Sequence, residues 1–325
     1  MWSIIGTAVQ GRGHAKKNIP VQDKIYYKRG EVTVMALADG AGSASLSHYG
    51  AERVTETICA LLYDCFDDIF EMNEVEEAQH MVMDTVLNEL HQLAESHQEP
   101  VKAFASTLLA VAVKGNNVLI LHLGDGEIGT IKHGKRMNLS SAENGEYANA
   151  TIFTTSQHAW RHLRLFKSRD VSSFSSFFLM SDGTAASLYS KERNYFSPFI
   201  SKLAEQSSIH KEQVLNGLLE ESFENLVKQK TQDDCALVMM TMVNESPSYA
   251  KLTRSDKELL VHYLNNPKHC SIKKWDKMTE LLQQPLTLKQ LAKAMLVKRS
   301  YVKANVNALM KAGMITYQKG KYYLN

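Results

Sequence analysis

The chain has 325 residues, 44% of them hydrophobic, and its 37 Lys/Arg against 35 Asp/Glu give a formal net charge of +2. That length exceeds one ordinary domain, so a core domain with an additional module is expected. No apolar run reaches membrane-spanning length before charge or glycine interrupts it, which argues against a secretory leader, a membrane span or a membrane partner and for a soluble, cytoplasmic protein.

Cys59, Cys65, Cys235 and Cys270 lack CxxC spacing, which excludes a zinc knuckle or a disulfide framework and fits a reducing compartment. The small net charge hides an asymmetry. From residue 251 onward fifteen Lys/Arg face four acidic residues, about +11, which leaves the first 250 residues near −9. Two modules with different partners are expected, 1–245 and 250–325. The seam should fall at 244–249, NESPSY, a polar stretch containing a proline.

Residues 3–9 suit a short strand, and 10–22 read as a loop bearing glycine and lysine. Residues 23–27 pair with a strand beginning at Val32 through a turn at 28–31. The segment 32–43, VTVMALADGAGS, is the point around which the chain is organised. Val32, Val34, Ala36 and Ala38 alternate with Thr33, Met35 and Leu37, so both faces are largely apolar and both should be covered. The strand ends in Asp39, followed by Gly40 and Gly42, which let backbone approach closely. A carboxylate at the tip of a buried strand is costly to desolvate unless a positive charge meets it, and a metal ion is the economical partner.

Helical periodicity follows at 46–66, with Ala51, Val54, Ile58, Leu61 and Leu62 as its stripe, and at 74–97. The pattern then turns to strands at 105–113, 117–123 and 127–132, an antiparallel meander with no βαβ unit. Residues 140–170 are polar and loop-rich, with one possible strand at 151–154. A strand at 175–180 precedes helical patterns at 184–189, 195–206 and 210–228, and a strand at 235–243 closes the series. Strands at both ends with helices between them indicate an α+β layered class.

Carboxylates recur at strand ends: Asp39, Asp125 and Asp182 follow strands, while Asp23 and the pair Asp233-Asp234 precede them. Each Asp-Gly alone is an ordinary hairpin signal. Together, converging on one rim, they would form an all-oxygen site suited to hard cations such as Mg²⁺ or Mn²⁺.

The ordered series GHAKKNIPVQD (13–23), ALADGAGS (36–43), ASTLLAVAV (105–113), LHLGDG (121–126), FLMSDG (178–183) and QDDCALVMM (232–240) resembles the motif set of the metal-dependent, type 2C protein phosphatases. The resemblance implies a four-layer sandwich of two antiparallel β-sheets flanked by helices, with a binuclear Mn²⁺ or Mg²⁺ centre at one end. It implies that Asp39 bridges two ions and Gly40 offers its carbonyl, that Asp182 and Asp233 hold one ion, and that Asp23 serves the other through water. Asp125 matches a position that in some members helps hold a third ion. Of the adjacent acids, spacing to the strand favours Asp233 as ligand and Asp234 as its supporting acceptor. Two metals lower the pKa of a shared water and clamp phosphate oxygens for in-line displacement. No cysteine begins a Cys-x5-Arg loop, which disfavours a thiol nucleophile.

The chain departs from the family pattern at four places. Ala41 stands where many members have a histidine suited to general acid catalysis, and the arginine often found before the first aspartate is missing. Gln22 replaces an acidic neighbour of Asp23, and Ala236 a hydroxyl residue. Protonation of the leaving group and anchoring of phosphate then fall to other residues, with His14 and Arg12 the candidates. Two further patterns carry no site. Gly124, Gly126 and Gly129 match G-x-G-x-x-G, but the residues after them read as strands, with no helix N-terminus for a pyrophosphate. His158 and His162 lack a third metal ligand.

Residues 251–325 read as three helices and a hairpin: 255–264, then 273–283 as an approach, 287–294 capped by Thr287, 300–312 capped by Ser300, and strands 314–318 and 321–324. This order resembles a winged helix-turn-helix domain, whose second motif helix enters the DNA major groove. Lys298, Arg299, Ser300, Tyr301, Lys303 and Asn305 would then face DNA, with Lys319 and Lys321 on the wing; contact with a protein partner or autoregulation is the alternative use. The expectation for the whole chain is a bacterial phosphatase acting on phosphoserine or phosphothreonine in proteins, opposed by a cognate kinase. The other reading is a catalytically weak phosphatase-like regulator that binds DNA or protein through its tail.

Overall fold

The computed structural model describes residues 1–142, 151–243, 248–264 and 271–325. They divide into two compact units: residues 2–202 with 219–242, and Met1 with 203–218 and 243–325. The expected seam at 244–249 lies mostly outside the described residues. Segment 203–218 groups with the C-terminal unit, an assignment that sequence order alone does not suggest.

The larger unit begins with β1 (Trp2–Val9), α1 (Arg12–Lys17), β2 (Lys24–Lys28), β3 (Val32–Ala38), α2 (Ser47–Asp64), α3 (Phe66–Glu71) and α4 (Val75–His97). It continues through β4 (Leu108–Lys114), β5 (Asn117–Leu123), β6 (Glu127–Lys132), β7 (Lys135–Ser140), β8 (Arg164–Ser168), β9 (Phe174–Met180) and α5 (Asp182–Leu188). A two-residue ribbon, β10 (Tyr189–Ser190) with β11 (Tyr195–Phe196), precedes α6 (Pro198–Ser207) and α7 (Glu212–Ser222), whose residues 203–218 belong to the smaller unit, and the closing strand β12 (Cys235–Met242).

These strands form two five-stranded sheets, β1-β12-β9-β6-β7 and β2-β3-β4-β5-β8, with every pairing antiparallel. The apolar character of both faces of β3 is explained by its two coverings. Val34, Ala36 and Ala38 join α2 and α4 residues such as Val54, Ile58, Val82 and Val86 in one cluster. Met35 and Leu37 face the other way, into a core shared with Ile4, Phe177, Leu179, Val238 and Met240 of the second sheet. Alternation at period two therefore sends one strand's side chains into two different cores.

Three expectations change. The loop 10–22 contains the short helix α1, and 151–154 is not a strand, whereas Arg164–Ser168 forms the edge strand β8. That strand pairs with β5 through Leu121↔Leu165 and neighbouring residues. Its half-exposed side chains, Leu165 excepted, hide it from a hydrophobicity pattern. The helical pattern at 210–228 is interrupted after Ser222 by a π-turn over Phe223–Val227.

The smaller unit contains α8 (Arg254–Tyr263), α9 (Ile272–Leu281), α10 (Leu288–Met295), α11 (Arg299–Lys311), β13 (Ile315–Gln318) and β14 (Lys321–Leu324). Trp275, Leu291, Val302, Val306, Leu309 and Met314 lie in its core. Thr287 caps α10 in a reciprocal box with Gln290. The last helix begins one residue earlier than its sequence suggests: Lys298, not Ser300, occupies the cap position, without a side-chain cap. No helix among the described residues is long and apolar enough to cross a membrane.

Candidate active site at an acidic rim

Strand register carries the carboxylates to one end of the sandwich. Lys24 pairs with Ala38, so Asp23 and Asp39 extend just past the same end of one sheet. In the other sheet Val9 pairs with Cys235, and Met180 with both Leu237 and Glu127. Asp233, Asp182 and Asp125 therefore project beyond that sheet's corresponding end. Hydrogen bonds join the two ends: the Gln22 backbone N–H donates to Asp234 Oδ2 at 2.6 Å, and Gly11 N–H to Asp234 Oδ1 at 2.6 Å.

The electrostatics follow from this convergence. Burial pushes the Asp23 carboxyl well above the usual carboxylate range, reinforced by the charges of Asp234, Asp182 and Asp233. The Ser181 hydroxyl opposes that shift without completing a hydrogen bond, and both Asp23 oxygens remain unpaired at 1% exposure. Asp39 is raised by burial and then by Asp23, Asp182, Asp233 and Asp125. Asp182 is raised by burial, Asp125 and Asp233, with Asp39 and the Gly183 N–H acting the other way. The sequence brought five carboxylates to this rim, and the structure makes them mutually repulsive.

Local backbone fixes each member. Asp39 N–H donates to Thr107 Oγ1 at 2.9 Å, and Thr107 N–H returns to the Asp39 carbonyl at 2.8 Å. Gly40, expected to offer its carbonyl, is buried and bridges to Ser106. Thr151 Oγ1 donates to Asp125 Oδ2 at 2.5 Å. Asp233 is exposed whereas Asp234 is 1% exposed and accepts the two backbone bonds just described. Gly11 and Gly183 are required by close approach: a Cβ on Gly11 would lie 2.3 Å from the Asp233 carbonyl carbon, and one on Gly183 2.1 Å from the Asp234 carbonyl oxygen.

His14 and Arg12 sit on α1 beside these acids. His14 Nδ1 lies 2.9 Å from Asp234 Oδ1, oriented away from a hydrogen bond, and Nε2 is 3.7 Å from Asp233 Oδ1. Arg12 Nε donates to the Thr231 carbonyl at 3.1 Å. Ser181, which accepts the Ala236 N–H at 2.9 Å, and Thr107 are neighbours of the rim that the sequence motifs do not single out. Both lie within or beside the quoted motifs, and only register reveals their contacts.

Among the described residues, no three His, Cys, Asp or Glu side chains form a ready-made metal cage. The donor chemistry nonetheless fits a hard cation: unpaired buried carboxylate oxygens and uncompensated like charges are what an oxygen-loving divalent ion satisfies. Cys235, buried at the foot of β12, has its thiol pushed up to about 12 by burial and by Asp23 and Asp234. It is therefore protonated at neutral pH and no nucleophile.

The remaining sequence features are accounted for. The Gly124–Gly129 pattern lies on the β5–β6 turn and β6. His158 has left-handed backbone before a 3₁₀ turn, where Trp160 packs 4.0 Å from His80. In the smaller unit Lys298, Arg299, Ser300, Lys303, Lys319 and Lys321 are exposed, and Tyr301 is half-buried beneath Lys274. Asn305 does not face outward: it is fully buried and accepts the Trp275 indole N–H at 2.6 Å. A buried indole needs that acceptor, which removes Asn305 from any surface role.

Comparison with known proteins shows the family and the fold. The profile of the family described as Protein phosphatase 2C matches residues 10–221. Serine/threonine-protein phosphatase 3 of Escherichia coli (strain K12) is 30% identical over 175 residues, 51% of this chain and 68% of that protein. The S. agalactiae serine/threonine phosphatase structure aligns with a TM-score of 0.50 at 17% identity, over 74% of this chain and 100% of its own. The Mycobacterium tuberculosis serine/threonine phosphatase aligns with a TM-score of 0.51 at 14% identity, over 75% and 99%. At those identities the structural matches speak to the fold.

Proposed function

This chain belongs to the protein phosphatase 2C family, and from that premise we propose that it hydrolyses phosphoserine and phosphothreonine monoesters in proteins at the acidic rim. It is a serine/threonine phosphatase by its relatives; the metal-assisted route and the residue roles belong to the proposal. The observation that carries them is Asp23, buried with both oxygens unpaired among carboxylates that raise its pKa.

A phosphate monoester arrives with roughly two negative charges, so a rim of bare carboxylates would repel it. Mn²⁺ or Mg²⁺, two ions or three, would be held by Asp23, Asp39, the Gly40 carbonyl, Asp182 and Asp233, with Asp125 beside them. When bound, such ions supply an activated water and a positive clamp for the phosphoryl oxygens. The protein's own residues do the rest. Asp234 fixes the approaches to Asp23 and Asp233 through the backbone, and Thr107 fixes Asp39. Arg12, whose Nε donates to the Thr231 carbonyl, would use its remaining guanidinium N–H groups to anchor phosphate. His14, beside Asp233 and Asp234, would serve as general acid toward the departing serine or threonine oxygen.

The phosphoprotein would come from a Ser/Thr kinase in the same compartment. The test is hydrolysis of a phosphothreonine peptide by purified protein with Mn²⁺. Wild type turns over, and Asp39→Asn loses activity by on the order of a thousandfold or more. Equal rates for the two proteins would remove the rim from the reaction.

A further inference from the structure

The two sheets of the larger unit part along one long side. There β7 is the outermost strand of one sheet and β8 of the other, and among the described residues no further strand joins either edge. Register settles which side chains face the gap. Phe177 belongs to the core between the sheets, and the pairs Thr130↔Phe177 and Thr130↔Met137 carry that inward face across to Met137 on β7. Ile120 belongs to the same core, and its pair Phe166 on β8 faces the same way.

Both inward-facing edge residues nevertheless remain open, Met137 at 46% and Phe166 at 43% exposure. Between them lies an apolar slot of about 170 Å³, lined by Phe166, Ile120, Val118, Leu139, Phe174 and Phe177. Small-molecule sites run from about 300 to 1,000 Å³, whereas a cavity of about 150 Å³ holds one benzene ring. The slot therefore has room for a single aromatic or large aliphatic side chain.

The charge around the slot is basic. Lys132 Nζ stands 4.6 Å from the centre of the Phe174 ring, and its strand partner Lys135 is exposed on the same face. Arg164 shares the face of Phe166, two residues nearer the acidic rim. Asp170 is the acid that Lys132 and His133 act on, and its carboxylate already takes the Ser172 N–H and hydroxyl at 3.2 and 2.6 Å. A second copy of this edge would bring cation against cation. A wholly polar polyanion would leave the slot empty.

We propose that the free edge of β8 and the slot beside it bind an extended acidic segment of the phosphoprotein substrate. The identity of the segment's owner rests on the phosphatase reading; the groove itself does not. The segment adds to β8 as a further strand, its main chain supplying affinity and one apolar side chain in the slot supplying choice. Lys132, Lys135 and Arg164 meet its carboxylates. From Ile120, level with Phe166, the chain runs about 17 Å along β5 to Asp125, so a few residues of substrate separate the docked segment from the phosphate.

The full-length protein is titrated into a fluorescein-labelled peptide of alternating Glu and Thr around one central Phe, followed by anisotropy. Binding is expected, weakening from about 50 to 200 mM salt. A peptide with Ser for the Phe, or Lys for every Glu, should bind at least about tenfold more weakly. The variants Phe166→Asp and Lys135→Glu should lose a similar factor, with melting temperature and hydrolysis of a small aryl phosphate unchanged. Joined by a flexible spacer to a phosphothreonine peptide, the acidic segment should lower KM at least about tenfold at constant kcat in wild type, but not in Phe166→Asp. The proposal is overturned by absence of peptide binding at the lowest salt, by equal binding of the Lys peptide, or by variants that bind as wild type does. It is also overturned if the tethered segment leaves KM unchanged in an active protein. Peptide binding by a protein inert toward the aryl phosphate would instead overturn the phosphatase reading and uphold the groove.

Discussion

Gln22 is held by Asp234 through its backbone N–H at 2.6 Å, and the other oxygen of the same buried carboxylate takes the N–H of Gly11 at 2.6 Å. One side chain at the start of β12 thus ties down the end of β1 and the approach to β2. Asp23 follows Gln22 directly, and Asp233 precedes Asp234, so two rim carboxylates inherit their positions from this pair of bonds. Asp234 is a positioning residue whose importance lies in what it fixes.

Asp234→Asn tests that assignment. An amide offers one acceptor oxygen, so its NH₂ group must face the second backbone N–H, leaving a buried donor unpaired. The cost is about 1–3 kcal/mol, measured as a lowered urea midpoint with unchanged slope. Phosphopeptide turnover should fall with it although Asp233 is intact. A variant of wild-type stability and rate would show that the two bonds position nothing.

Gly183→Ala should damage the rim more severely. The added Cβ would lie 2.1 Å from the Asp234 carbonyl oxygen, a backbone atom with no rotamer to yield. Either β12 shifts away from the start of α5 or the helix start moves, and both displace Asp182 relative to Asp233. Overpacking of this kind costs about 1–3 kcal/mol. Thermal melting and Mn²⁺-dependent turnover read the two consequences, and normal values in both would contradict the close packing.

Much of this was legible in the sequence. The Asp-Gly strand ends marked the rim because a carboxylate closing an apolar strand is an expensive feature that local turn chemistry explains only in part. The apolar doubling of Val32–Ala38 announced a strand covered on both faces, and the two clusters confirm it. The edge strand β8 was not legible, because edge residues alternate too weakly to outvote the polar stretch before them. Asn305 was misread for a related reason. Helical spacing puts it near Arg299 and Lys303, but the partner that draws it inward, Trp275, is thirty residues away in sequence.

His122 gives a pH dependence with a definite sign. It lies fully buried on β5, with Nδ1 2.8 Å from Ser140 Oγ. Burial, and then the charge of Arg164, lower its pKa from 6.5 to about 3. The folded protein keeps it neutral while the unfolded chain protonates it below about pH 6.5. Stability from this group is therefore present above that pH and lost as pH falls from about 6.5 toward 3, by up to about 1.4 kcal/mol per pH unit. Urea melts at pH 7 and pH 5 should show this loss in wild type and a smaller one in His122→Gln. Identical losses would assign the acid sensitivity elsewhere.

The acidic rim has the opposite sign, and a cation should reverse it. Asp23 and Asp39 are raised above the usual carboxylate range by burial and mutual charge, so the folded protein retains protons that the unfolded chain has released. Their contribution favours folding at low pH and is lost as pH climbs through the raised values. Divalent ions replace those protons, and ions bound only by the folded state stabilise it by about 2.7 kcal/mol at a hundredfold excess over Kd. Mn²⁺ should thus raise the melting temperature, and by more at pH 7 than at pH 5, with EDTA restoring the lower value. Asp23→Asn should raise the melting temperature of the EDTA-treated protein, since it removes a buried charge with no partner, and should shrink the Mn²⁺ increment. This readout needs no substrate. A wild-type melting temperature indifferent to Mn²⁺ at pH 7, or an Asp23→Asn protein that keeps the full increment, would mean that the rim's carboxylates are not there to hold cations.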